Sequence, residues 1–132
     1  MLFKVNNSDK SIDKEAWFFF QQNGYVVLDG ILAQSDVHIL KNLVIDLISE
    51  EAASGYAYNY GPNMQRVWNL LNKGSLFQKI ITSPQLLAWM DNIFDRPTLH
   101  QKYYLSSFQA NVLKSGAQSQ KLHIDTPVPD PL

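Results

Sequence analysis

The sequence predicts an α+β fold, because the spacing of its apolar residues changes along the chain. Before Asp95 the apolar residues mostly recur at three- and four-residue intervals, which marks helices burying one face. From Thr98 onward the period drops to two, which marks extended chain. The 132 residues are 45% hydrophobic and 17% charged, which suits a single domain spanning 1–132 with a buried core.

Residues 1–12 read as a polar lead-in with little fold information. Asp13 is placed to cap a short helix from Lys14 to about Gln22, and Asn23-Gly24 to end it, since glycine enters the left-handed region cheaply. Trp17, Phe18 and Phe20 give that helix an apolar face. Tyr25-Val-Val-Leu28, closed by Asp29-Gly30, reads as a short buried strand. Ser35 is the expected cap of a long helix over Asp36 to Ala53. Its apolar stripe is Val37, Leu40, Leu43, Val44, Leu47 and Ile48, and His38 lies beside that stripe as an ordinary surface residue.

Ser54 to Asn63 has loop composition, either a lid with several tyrosines or a plain surface connection. Gln65 to Asn72 is expected as a strand, with Arg66, Trp68 and Leu70 opposite Val67, Asn69 and Leu71. Ser75 opens a helical turn through Ile81. Ser83-Pro84 starts a further helix by the rule that places a cap before proline. Leu86, Leu87, Met90, Ile93 and Phe94 are its apolar face, and Asp95-Arg-Pro97 its stop.

In the last third, Leu105, Ser107, Gln109, Asn111 and Leu113 share one strand face. Tyr104, Ser106, Phe108, Ala110 and Val112 share the other. The second can pack on helices; the first is polar in its middle and faces solvent or a wet cavity. Ser115-Gly116 is a turn, and a strand leads from it into His123.

Composition narrows the function classes. A net charge of −1 supplies no field for nucleic acid and no polybasic membrane patch. Without cysteine there is no disulfide, thiolate metal site or cysteine nucleophile. No apolar run is long enough to span a bilayer, and the opening residues lack the pattern of a secretory signal. A soluble, cytoplasmic protein is the expectation.

Chemistry concentrates in Leu122-His123-Ile124-Asp125. If this stretch is extended, His123 and Asp125 point the same way while Ile124 points opposite. A neutral imidazole beside a carboxylate supplies two ligands of the 2-His-1-carboxylate set that holds non-haem Fe(II). The alternative is a surface hydrogen-bonded pair in a non-catalytic α+β interaction module.

Several blocks in this order resemble the phytanoyl-CoA dioxygenase family. They are Phe20-x-x-x-Gly24-Tyr-Val-Val-Leu-Asp-Gly30, then Arg66-Val-Trp-Asn-Leu-Leu-Asn-Lys73 with Phe77 and Ser83-Pro84-x-Leu86-Leu87, then Gln120-Lys-Leu-His123-Ile-Asp125-x-Pro127. The resemblance implies an Fe(II)- and 2-oxoglutarate-dependent dioxygenase acting on a small organic substrate and dioxygen. It also implies helices packed on a double-stranded β-helix, a jelly-roll or cupin-like architecture. By the same resemblance His123 and Asp125 bind iron, and Asn111, with Gln109 behind it, can touch 2-oxoglutarate or substrate. Arg66 qualifies by charge alone, a surface salt bridge being the alternative. The carboxylate at Asp125, where related halogenases carry a small residue, favours hydroxylation.

In that family a distal histidine and an arginine for the far carboxylate of 2-oxoglutarate follow the first motif. His38 and His100 both precede His123. The expectation is therefore an N-terminal half, with the β-helix incomplete at its C-terminus, weak metal binding by these residues alone and no turnover.

Overall fold

The computed structural model describes residues 1–6, 8–94 and 103–123. Helix α1 (Lys14–Asn23) begins where expected: the Asp13 carboxylate accepts the Ala16 N–H at 2.9 Å. Gly24 ends it at φ 76° and donates its N–H to the Phe20 carbonyl. Asp13→Ala should lower stability by about 1 kcal/mol, because one amide at the helix start loses its partner. A urea midpoint unchanged by the substitution would contradict that cap.

The face α1 buries keeps the expected Trp17 and Phe20 but not Phe18. Ala16, fully buried, lies with Trp17 and Phe20 toward α4 (Pro84–Phe94), where both rings meet Trp89 at 5.6 and 5.8 Å. Phe19 turns to Phe3 and Tyr25, and Phe18 is exposed. The lead-in also carries structure. Leu2–Lys4 forms β1, paired in parallel with β2 (Val27–Asp29) in a two-stranded sheet. With β1 as its one neighbour among the described residues, β2 is largely exposed rather than buried.

Helix α2 spans Gln34–Ala53. Its N-cap is Ala33, not Ser35, which lies inside the first turn; no side chain caps the helix start. Asp36 instead places its carboxylate in that turn, favourable to the helix dipole, and receives Lys79 Nζ at 2.8 Å from α3 (Ser75–Ile81). His38 is exposed, with Nε2 3.4 Å from Asn42 Nδ2 one turn later.

The supposed tyrosine loop contains β3 (Tyr58–Asn59), which pairs antiparallel with β4 (Met64–Val67). The longer strand expected through Asn72 stops at Val67. Asn69 takes a left-handed conformation at φ 57° and opens a 3-10 turn at Leu70–Asn72. Ser83 starts α4 as anticipated, its hydroxyl accepting the Leu86 N–H at 3.3 Å. The buried face of α4 centres on Gln85, Ala88 and Trp89, while Leu87 and Phe94 are exposed. Gln85 reaches this interior because its amide donates to the Asp9 and Ser11 carbonyls at 2.8 and 2.7 Å, tying the lead-in to the helix. The expected stop at Asp95–Pro97 lies outside the described residues.

Among the described residues of the period-two stretch, only Ala110–Leu113 becomes a strand, β5, antiparallel to β4. Upstream, Tyr104–Ser107 has no strand beside it and is exposed; a single bond from the Leu70 N–H to the Phe108 carbonyl bridges the gap. The second sheet thus runs β3-β4-β5. Leu40, Val67, Leu70 and Phe77 form the core cluster beneath it, with Leu43, Val44, Leu47, Ile48, Phe108 and Ala110 packed around them. The α+β class is realised, with four helices and two small sheets among the described residues. No helix among the described residues is long and apolar enough to cross a membrane.

Candidate functional site

The three-stranded sheet has two unlike faces, set by strand alternation. Val67 and Ala110 face α2 and the core, and Gln65 joins them by donating its amide to the Ile48 carbonyl at 3.1 Å. The opposite face carries Tyr58, Arg66 and Asn111 in cross-strand register. Arg66 Nε donates to Asn111 Oδ1 at 2.8 Å. The guanidinium carbon lies 4.5 Å from the Tyr60 ring centre and 5.0 Å from that of Trp68. Trp68 meets Tyr58 edge-on at 5.8 Å. Each ring contact with the cation contributes about 0.5–1 kcal/mol at a half-exposed site.

Among the described residues the surface salt bridge offered for Arg66 does not form. Among the described residues the ion pairs are Lys73–Glu51 and Lys79–Asp36, and Arg66 has no carboxylate partner. Asn111 is on the polar face, as the alternation implied, but its oxygen is already engaged in holding Arg66. Gln109 precedes β5 and is half-buried, with Oε1 shielded from solvent and lacking a partner among the described residues.

The strand expected before His123 is not formed. Gln118–Lys121 is polar and exposed, Leu122 is fully exposed, and no neighbouring strand offers a ladder. Instead, Ala117 N–H closes the Ser115-Gly116 turn on the Lys114 carbonyl at 3.0 Å, and the chain runs on as an irregular segment. His123 Nδ1 lies 2.7 Å from the Lys121 carbonyl oxygen. A carbonyl only accepts, so in the neutral ring Nδ1 carries the proton and Nε2 the lone pair. A histidine prepared for a metal is commonly oriented in this way. The ring lines a groove of about 390 Å³ with Tyr60, Gly61, Pro62, Met64 and residues 118–121. Tyr60 is therefore shared between the groove and the Arg66 stack.

Asp125, the expected second ligand, lies outside the described residues, as does His100. Among the described residues no group of three or more His, Cys, Asp or Glu side chains is placed to hold a metal ion. Displaced titration is found on other elements. The Ser11 backbone and hydroxyl lower the Asp9 pKa, while burial and then Asp91 raise that of Tyr103.

Sequence reasoning did not anticipate the Tyr60–Arg66–Trp68 stack. The i, i+2 spacing of Arg66 and Trp68 puts them on one face, but the tyrosines lie in a stretch of loop composition. The alternation of Tyr58 and Tyr60 was the available signal. Comparison with protein-family models, curated proteins and solved structures gives no match.

Proposed function

We propose that the chain contributes part of a non-haem Fe(II)- and 2-oxoglutarate-dependent dioxygenase site that hydroxylates a small organic substrate. The observation carrying this reading is the His123–Lys121 hydrogen bond, which fixes the imidazole through Nδ1 beside a groove. A neutral imidazole and the Asp125 carboxylate are a donor set that suits Fe(II). The resemblance adds a second histidine after His123 and makes the β3-β4-β5 sheet part of a double-stranded β-helix. Its polar face would then line the interior.

Iron with 2-oxoglutarate supplies oxidation of a C–H bond by dioxygen, with succinate and carbon dioxide as the other products. The chain's own contribution is to orient an imidazole, wall the groove with Tyr60 and present a fixed cation at Arg66. A cytoplasmic location fits this chemistry.

Titration with Co(II), followed by line broadening in amide spectra, tests the reading. Broadening should centre on residues around His123, and His123→Ala should abolish it, since the imidazole is the proposed ligand. Equal Co(II) binding by His123→Ala would remove the iron assignment and leave the interaction-module alternative.

A further inference from the structure

We propose that Arg66, stacked between Tyr60 and Trp68 and held by Asn111, is a receptor for the carboxylate of a small organic molecule. The proposal stands on this sheet face and does not require a metal at His123. Three observations carry it.

The cation is uncompensated. Among the described residues no carboxylate pairs with Arg66, and Nε is its only hydrogen-bonding nitrogen, so both Nη groups retain their donors. Two parallel N–H groups match a carboxylate in bidentate fashion.

The side chain is also ordered in advance. Two rings and one hydrogen bond fix the guanidinium, so little rotamer freedom remains to be lost when an anion arrives. Asn111 acts as a positioning residue, because its oxygen orients Nε.

The surroundings suit an organic anion. Tyr58, Tyr60 and Trp68 are 46%, 45% and 42% exposed, which leaves apolar ring surface beside the cation. A single cation flanked by rings favours a singly charged planar group over a phosphate, which gathers several donors and charges. Tyr60 also borders the His123 groove, so a bound molecule has room to extend there.

The test reads the arginine directly. Arginine occurs only at positions 66 and 96, so two side-chain Nε–H signals are expected, and Arg66→Lys assigns one of them. Sodium propionate should shift the Arg66 signal saturably, whereas propionamide and equal ionic strength of sodium chloride should not. Without added metal, Asn111→Ala and Trp68→Ala should weaken propionate binding several-fold, and Phe18→Ala, on the exposed side of α1, should leave it unchanged. Binding of 2-oxoglutarate at least tenfold tighter than propionate would assign the carboxylate to the co-substrate; equal or tighter propionate binding would assign it to the substrate. An Arg66 signal that stays put in the folded chain, that chloride moves equally, or whose response is unaffected by both Asn111→Ala and Trp68→Ala would overturn the proposal.

Discussion

Phe77→Ala is expected to cost about 3–5 kcal/mol, the usual penalty for emptying a buried aromatic site. Phe77 is 2% exposed and is the residue of α3 that enters the core. Its ring meets Phe108 edge-to-face at 6.3 Å and packs in the cluster with Leu40, Val67 and Leu70. Single domains hold only about 5–15 kcal/mol in total, so this variant should melt at much lower temperature and with less cooperativity. The site should suffer with it, because Phe108 precedes β5 and thereby places Asn111 beside Arg66. Phe18→Ala is the control: Phe18 is 64% exposed, and surface substitutions usually stay within about 0.5 kcal/mol. Thermal unfolding followed by circular dichroism separates the two. Similar melting of both variants would mean that the core is misplaced.

Local chemistry was the most legible part of the sequence. Asp13, Gly24 and Ser83-Pro84 mark helix ends because a carboxylate, a missing Cβ and a hydroxyl act on amides a few residues away. The faces around β5 were legible for the same reason: Phe108 and Ala110 had to go inward if Asn111 went outward. What failed was pairing. Nothing local tells Leu2–Lys4 that Val27–Asp29 will lie parallel to it, or tells Tyr58 that Arg66 lies opposite. Strand length failed likewise, since Asn69 breaks β4 by a left-handed turn within an otherwise strand-like run.

The candidate site divides along the same line. Asn111 was reached through the alternation of a single strand, and its register with Arg66 then gave a contact spanning 45 residues. The aromatic walls come from different strands and loops, so their meeting depends on the sheet being assembled. His123 was picked out for its spacing from Asp125, yet its described orientation comes from the nearby Lys121 carbonyl. The groove appears only when the hairpin of β3 and β4 stands beside residues 118–123.

Gly30→Ala tests whether the N-terminal strand belongs to the folded unit. Gly30 follows β2 at φ 95°, and a Cβ there would sit 2.7 Å from the Val5 carbonyl oxygen. That contact is with backbone, which a rotamer change cannot relieve, while Val5 N–H donates to the Asp29 carbonyl at 2.8 Å. Alanine must therefore hold a strained φ and push β1 away. Strain of about 1–3 kcal/mol joins a lost hydrogen bond of about 0.5–1.5 kcal/mol. Gly24→Ala offers a contrast within the same protein: φ is 76°, but nothing lies within 4 Å of the new methyl group. Only the left-handed cost of about 1–2 kcal/mol applies there. Exchange of the Val5 amide with solvent deuterium should accelerate in Gly30→Ala and keep its native rate in Gly24→Ala. If neither substitution changes it, β1 contributes no stability, and Phe3 beside Phe19 is a surface contact rather than an extension of the fold.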